Sequence, residues 1–157
     1  MVPMAVEGVK VESYAARVDR LLRSGVQRPE RVLDLFAGCG GLALGFEAAG
    51  FETIGFETNP DCCATYNANL TGSCTELFLT PDTTFPEAEI VIGGPPCQPF
   101  SVGGNQLGLE DARDGFPAFT AAVEQLRPKL WMFENVRGLL YKNRWYLDQI
   151  IHRLERL

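Results

Sequence analysis

Histidine is scarce in this sequence, and its cysteines lack the spacing of metal ligands. Its 157 residues include one histidine, His152, and its five cysteines form no C-x-x-C pair. Structural zinc sites need closely spaced cysteines and histidines, so no metal site is expected. The shortage of histidine also argues against a papain-like protease, which needs a Cys–His pair. Reduced thiols instead fit an intracellular protein.

Long apolar runs and an excess of positive charge are absent as well. No segment approaches the roughly 18 apolar residues of a membrane span, and the first residues lack the pattern of a signal peptide. We therefore expect a cytoplasmic protein (nucleoid-associated, if bacterial) with no membrane partner. The chain has 14 Lys and Arg against 20 Asp and Glu, a net charge of -6. Because phosphate contacts need clustered Lys and Arg, such a chain is not expected to bind nucleic acid mainly through its own surface.

Short apolar runs alternate with helical patterns along the chain. The predicted strands lie at 31–36, 51–57, 74–79, 90–92 and 130–134, and the predicted helices at 13–25, 41–49, 60–69, 116–127 and 144–157. This alternation predicts an α/β domain with a mostly parallel, Rossmann-like sheet. Ligands of such sheets bind outside the carboxyl ends of the strands. We assign 1–30 to an N-terminal helical extension and 31–157 to the α/β domain.

A glycine-rich turn, DLFAGCGGLA at 34–43, follows the first predicted strand. Its pattern, Gly38-x-Gly40-x-x-Ala43, permits a tight turn and lets backbone N–H groups approach a ligand. Glu57 ends the next predicted strand about twenty residues downstream, where an acidic side chain can accept both hydroxyls of a ribose. Together with Asp34, this pattern favours a nucleoside cofactor over an ordinary turn glycine. It leaves NAD and S-adenosylmethionine as alternatives.

A second loop, GGPPCQPFS at 93–101, contains Cys97 with a proline close on either side. Many cysteines are simply buried in the core, but a rigidly held thiol suits a nucleophile that needs a defined direction of attack. Glu134 is the candidate acid. It follows an apolar run, where burial would favour its protonated form; the alternative is a strand-end carboxylate that caps the next turn. Asn135 can hold the loop through side-chain hydrogen bonds.

Three segments, DLFAGCGG, GGPPCQPFS and FENVRGLL, occur in an order and spacing that strongly resemble the cytosine-5 DNA methyltransferase family. The resemblance covers about residues 31–157. It implies DNA methylation, as in restriction–modification, with S-adenosylmethionine as cofactor. Phe36, Gly38 and Gly40 would shape the methionine side of the pocket, and Glu57 would bind the ribose. The cofactor residues implied are Asp34, Phe36, Gly38, Gly40, Gly41, Glu57, Glu76 and Pro95.

The resemblance also implies the adenine contact and the catalytic pair. Counting back from Cys97 places the adenine contact at Glu76, with Asp82 as the alternative. Cys97 would add to C6 of a cytosine flipped out of the duplex, while Glu134 would hydrogen-bond or protonate N3. The residues that would line the substrate loop are Pro96, Gln98, Ser101 and Asn135.

Members of this family continue beyond the last motif of this chain. They carry a Gln-x-Arg-x-Arg motif, a target-recognition region and a terminal segment that are absent here. We therefore expect double-stranded DNA to be bound only with a second polypeptide or a missing C-terminal segment. The truncated sheet should expose apolar surface, with Trp145, Ile150 and Leu154 as candidates. The alternatives are an inactive cofactor-binding or regulatory module, an RNA cytosine-5 methyltransferase, and a dehydrogenase.

Overall fold

A computed structural model describes residues 13–22, 25–96, 114–141 and 143–157 of the chain. Five strands in these residues form one sheet: β1 (Arg31–Leu35), β2 (Glu52–Glu57), β3 (Ser73–Glu76), β4 (Ile90–Gly93) and β5 (Leu130–Phe133). Their order across the sheet is β3-β2-β1-β4-β5, and each pair of neighbours is parallel. The predicted Rossmann-like α/β fold is confirmed.

The third strand begins and ends earlier than the predicted 74–79. Its last residue, Glu76, is the register partner of Glu57, the last residue of β2. Beyond this pair β2 offers no further strand to pair with, so β3 ends there. The middle of β3 is fixed by the side chain of Asn67, which binds both the N–H and the carbonyl of Cys74, at 2.7 and 3.0 Å.

Helices cover both faces of the sheet. In chain order they are α1 (Tyr14–Leu22), α2 (Gly41–Ala48), α3 (Pro60–Asn69), α4 (Phe116–Leu126) and α5 (Arg144–Leu154), with a short 3₁₀-helix at Arg137–Leu140 that the sequence patterns do not predict. The α2 and α3 helices pack on one face, and α4 and α5 pack on the other. Because side chains alternate along a strand, Leu33 and Leu35 face α4 and α5 while Val32 faces α2. None of the described helices is both long and apolar enough to span a membrane.

In the described part of the chain, β5 is an edge strand that exposes apolar side chains. Leu130 and Met132 are 49% and 37% exposed, and Trp145 in the first turn of α5 is 49% exposed. The prediction that Ile150 and Leu154 share this surface is wrong. These two residues recur at i, i+4 spacing on the face of α5 that packs into the core against α4.

Candidate functional site

Most of the predicted functional residues lie along one edge of the sheet. Because the described strands are parallel, their carboxyl ends meet at the same edge. Residues at or just beyond these ends are Phe36 (β1), Glu57 (β2), Glu76 (β3), Pro95 (β4) and Glu134 (β5). This edge therefore brings the glycine turn and the candidate acid onto one side of the domain. Cys97, Gln98 and Ser101 lie outside the described residues.

The glycine turn places three residues in the left-handed region, with φ of 59° at Phe36, 54° at Gly38 and 87° at Gly40. Glycine adopts this conformation freely, whereas it costs phenylalanine on the order of 1–2 kcal/mol. Packing also requires glycine at Gly40, since a Cβ there would lie 2.8 Å from Cδ2 of the buried Tyr66 ring. A Cβ at Gly38 or Gly41 would meet nothing within 4 Å. Ligand atoms can therefore approach the backbone at these two positions.

The carboxylate of Glu57 braces the glycine turn from the neighbouring strand. Its Oε2 accepts the Gly38 N–H at 2.9 Å, and its Oε1 accepts the N–H groups of Thr58 and Asn59 at 2.8 and 2.9 Å. Partial burial opposes ionisation, but the hydrogen bonds from Asn59, Gly38 and Thr58 outweigh it and hold the pKa of Glu57 below its usual value. A carboxylate has about four acceptor sites. Oε2, which accepts one hydrogen bond within the described residues, can still accept a ligand hydroxyl.

A second carboxylate lies beside Glu57 at this edge. Glu76 is the register partner of Glu57, and its side chain is exposed. The next residue, Leu77, donates its N–H to the Glu57 carbonyl at 2.8 Å and leaves its side chain 38% exposed. Leu77 was not among the residues predicted to form the site. Asp82 lies beyond β3 in an exposed turn.

Asp34 differs from the other predicted cofactor residues because it is buried. It lies in β1 with 1% of its surface exposed. The backbone N–H of Ala43 in α2 approaches the carboxyl, yet neither oxygen has a regular hydrogen bond within the described residues. Burial raises the pKa of Asp34 from 3.8 to about 7; the Ala43 N–H partly opposes this rise and the charge of Glu57 adds to it. The Asp34 carboxyl is thus buried between β1 and α2.

Replacing Asp34 with asparagine is expected to stabilise the fold near pH 8. The folded protein keeps the Asp34 proton up to a pH of about 7, whereas the unfolded chain releases it near 3.8. The contribution of Asp34 to stability therefore falls as the pH rises between these values and stays low above them. At about 1.36 kcal/mol per pKa unit, the asparagine variant should gain about 1–4 kcal/mol near pH 8 and less than half of that near pH 5. Denaturant unfolding of both proteins measures this, and an equal gain at the two pH values would contradict the assignment.

Glu134 and Asn135 lie against the backbone that leads towards Cys97. The Glu134 N–H donates to the last carbonyl of β4 at 3.0 Å, and a Cβ on Gly94 would lie 3.4 Å from Oε1 of Glu134. Asn135 donates from Nδ2 to the Pro95 carbonyl at 2.8 Å. The prediction that the Glu134 side chain is buried is wrong within the described part of the chain. Glu134 is exposed there, because β5 lies at the edge of the sheet.

These features fit a nucleoside cofactor at the glycine turn. The open space at Gly38 admits ligand atoms close to the backbone, and Glu57 keeps acceptor capacity on an ionised carboxylate. Exposed Glu76 adds acceptors for an amino group, and half-buried Phe36 adds apolar surface. Among the described residues, no group of three or more His, Cys, Asp or Glu side chains is placed to hold a metal ion.

Solved structures share this fold at low sequence identity. A TehB-like SAM-dependent methyltransferase from Corynebacterium glutamicum superposes with a TM-score of 0.54 and 16% identity, covering 87% of this chain and 69% of its own. A precorrin-6y C5,15-methyltransferase from Geobacter metallireducens gives 0.52 and 16%, covering 89% and 71%. The fold is thus a Rossmann-like α/β fold that also occurs in methyltransferases.

Sequence comparison specifies the family. The model of the C-5 cytosine-specific DNA methylase family matches residues 30–157. The Type II methyltransferase M.AplI of Arthrospira platensis is 52% identical over 137 residues, which cover 87% of this chain and 40% of that protein. M.AquIA of Picosynechococcus sp. is 36% identical over 124 residues, covering 71% and 50%. This chain belongs to the C-5 cytosine-specific DNA methylase family, as its three motifs predict, and it spans half or less of the length of these two relatives.

Proposed function

We propose that this chain is the cofactor-binding and nucleophile-bearing part of a DNA (cytosine-5-)-methyltransferase. Completed by further sequence, it transfers a methyl group from S-adenosylmethionine to C5 of cytosine. One observation carries the proposal: the glycine turn braced by Glu57 and the β4 exit beside Glu134 meet at one edge of the sheet. Cys97 follows that exit directly in the sequence. The family match over 30–157 supports the same chemistry.

The cofactor supplies a methyl group on a positively charged sulfur. In our proposal Oε2 of Glu57 accepts a ribose hydroxyl while it holds the Gly38 N–H. Glu76 accepts from the adenine amino group, and we favour it over Asp82 because it is the register partner of Glu57. Phe36 offers apolar surface to the methionine side of the pocket, and Leu77 offers it to the adenine. The remaining proposed cofactor residues, which shape or support the turn and the β4 exit, are Asp34, Gly40, Gly41 and Pro95.

Cys97 is the proposed nucleophile and Glu134 its acid partner. The thiolate adds to C6 of the cytosine, and the displaced electron pair makes C5 enamine-like. Glu134 hydrogen-bonds or protonates N3, which stabilises this addition. C5 would then take the methyl group, which would leave the cofactor sulfur as a neutral thioether. Solvent water would accept the C5 proton, and expulsion of the Cys97 thiolate, with return of the N3 proton to Glu134, would restore the ring. Because the ring is inaccessible inside a duplex, the base must first be flipped out, at a cost of a few kcal/mol.

The flipped cytosine would be held by the loop around the nucleophile. We assign this role to Pro96, Gln98, Ser101 and Asn135. The side-chain contact from Asn135 to the Pro95 carbonyl supports its assignment, because that contact fixes the peptide just before Pro96.

A further polypeptide segment is needed to bind DNA in our proposal. The net charge of -6 leaves the chain without the cation excess that phosphate contacts require. The β5 edge exposes Leu130 and Met132 and can be covered by additional sequence. The segment that supplies cations and base contacts is either a second polypeptide or a continuation of this one. Coverage of only 40% and 50% of the two relatives supports this need.

Transfer of labelled methyl groups tests the proposal. The chain is incubated with labelled S-adenosylmethionine and either duplex DNA or RNA, alone and together with the product of the adjacent reading frame or a continuation of its own. We expect labelled DNA only in the completed mixture, and cofactor binding in both. Labelled RNA without labelled DNA would favour the RNA alternative. Cofactor binding without any transfer would favour the inactive module.

A further inference from the structure

The residues on the two sides of the segment 97–113 contact each other, and we call this contact the junction. The Gly115 N–H, just after this segment, donates to the carbonyl of Pro96, just before it, at 2.9 Å. A Cβ at Gly115 would lie 2.4 Å from Cδ of Pro96 and 2.9 Å from Cζ of Phe36. Three parts of the fold therefore touch at Gly115: the exit of β4, the start of α4 and the glycine turn. The Pro96 contacts cannot move away easily, because the proline ring fixes its own φ and the Pro96 backbone N lies 3.0 Å from the same Cβ position.

The junction is anchored to α5 through a buried carboxylate. Asp114 is 9% exposed, and its Oδ1 accepts the Phe116 N–H at 3.1 Å. Its Oδ2 accepts a hydrogen bond from the hydroxyl of Tyr146, which is 6% exposed. The Tyr146 ring packs edge-on against Phe116, with centroids 5.8 Å apart. Since a buried carboxylate is costly without donors, Tyr146 helps to keep Asp114, and with it Gly115, in place.

The peptide on the other side of Pro96 is held as well. The Pro95 carbonyl accepts Nδ2 of Asn135 at 2.8 Å. Prolines fix their own φ and donate no backbone hydrogen bond. The direction in which the backbone leaves Pro96 therefore depends on two carbonyl contacts, one from Asn135 and one from Gly115. The second contact is the one that Asp114 and Tyr146 support.

We propose that Tyr146 is a positioning residue for methyl transfer. Through Asp114 it keeps the Gly115 N–H on the Pro96 carbonyl, and so it fixes the backbone that leads into Cys97. This inference rests on the proposed function, in which Cys97 is the nucleophile. Covalent chemistry depends steeply on the placement of the reacting groups, and an error of about 1 Å can cost about a hundredfold in rate. Tyr146 itself touches neither substrate nor cofactor in this account.

Tyr146→Phe in the completed protein tests the inference, with Tyr141→Phe as the matched control. The variant removes the hydroxyl and keeps the ring against Phe116, whereas Tyr141 is 65% exposed and far less packed. We expect kcat to fall about tenfold in Tyr146→Phe, the usual scale for a lost hydrogen bond to a charged group, with KM for the cofactor unchanged. The control should match the wild type. An unchanged kcat would overturn the inference, as would a parallel loss of cofactor affinity and thermal stability, which indicates a structural role alone.

Amide hydrogen exchange on the same proteins tests the anchor without any activity. In Tyr146→Phe the Gly115 and Phe116 amides should exchange about tenfold faster, while the amides of β1 and β4 keep their protection. Unchanged exchange at Gly115 would overturn the anchor. If the wild type transfers no methyl group, the proposed function fails, and the catalytic role inferred for Tyr146 fails with it. The exchange result would still show whether Tyr146 holds Asp114 and Gly115 in place.

Gly115→Ala perturbs the same junction from the other side, and Gly45→Ala is its control. A Cβ at Gly45 would meet nothing within 4 Å, in contrast to the contacts at Gly115. We expect Gly115→Ala to lower kcat at least as much as Tyr146→Phe does, and Gly45→Ala to match the wild type. Equal kcat values for the two alanine variants would contradict the proposed role of the junction.

Discussion

Replacing Cys97 with serine is expected to abolish covalent trapping of DNA that contains 5-fluorocytosine. In the proposed reaction the methyl group joins C5 while C6 is bonded to the Cys97 sulfur. Fluorine at C5 cannot leave as a proton does, so the ring cannot be restored and the protein stays attached to the DNA. A serine hydroxyl ionises far less readily than a thiol and is a poor nucleophile without an adjacent base. A denaturing gel of the completed protein with fluorinated DNA and cofactor measures the adduct.

Other cysteines provide the controls for this experiment. Cys74 is buried, and burial raises the pKa of its thiol to about 12, so it carries almost no thiolate near neutral pH. Cys62 is partly exposed in α3, and Cys62→Ser should trap DNA as the wild type does. Trapping that persists in Cys97→Ser would identify a different nucleophile and contradict the proposed mechanism.

Glu134→Gln should slow adduct formation by about a hundredfold and leave cofactor affinity nearly unchanged. Glutamine can still hydrogen-bond to the ring, but it cannot give N3 a proton, and general acid catalysis is commonly worth about 10²–10⁴ in rate. Glu134 lies beside Gly94, at the β4 exit, and not in the turn braced by Glu57. Rapid-quench trapping gives the adduct rate, and calorimetry gives the dissociation constant of the cofactor.

Glu57→Gln is the complementary control, because it should affect cofactor affinity more than adduct formation. Its amide would turn an NH₂ group towards backbone N–H groups that now donate to a carboxylate, as at Gly38 and Asn59. We expect cofactor affinity to fall about tenfold or more, with a smaller effect on adduct formation at saturating cofactor. If both variants lost cofactor affinity and adduct rate in parallel, the assignment of Glu57 to cofactor binding and of Glu134 to catalysis would be wrong.

Local patterns in the sequence were sufficient to predict the sheet and the glycine turn. Buried parallel strands are rich in apolar residues; β4 is a continuous apolar run and β1, after Arg31, is one interrupted only by Asp34, and glycines mark the turn because positive φ favours them. Glu57 could be placed at a strand end from the sequence, whereas the predicted third strand, 74–79, put Glu76 in its interior. Their side-by-side position needed the register of β2 and β3, which the sequence does not specify.

Features that depend on distant residues were not predictable in this way. The Asp114–Tyr146 hydrogen bond joins residues 32 positions apart, and no local pattern relates them. The exposure of Glu134 follows from the edge position of β5, whereas the apolar sequence before it suggested burial. Ile150 and Leu154 were assigned to the exposed surface because a helical apolar face shows a preferred side but not the partner that covers it. Tertiary packing decided each of these points.

Release of tritium from DNA labelled at C5 of cytosine tests the central claim most directly. Methyl transfer to C5 must expel the hydrogen bonded there, whereas methylation of an exocyclic amino group leaves it in place. The completed protein, given duplex DNA that contains [5-³H]cytosine and S-adenosylmethionine with a ¹⁴C-labelled methyl group, should release tritium to water in step with the methyl groups incorporated, and Cys97→Ser should release none. Methyl incorporation with the tritium retained would contradict the account.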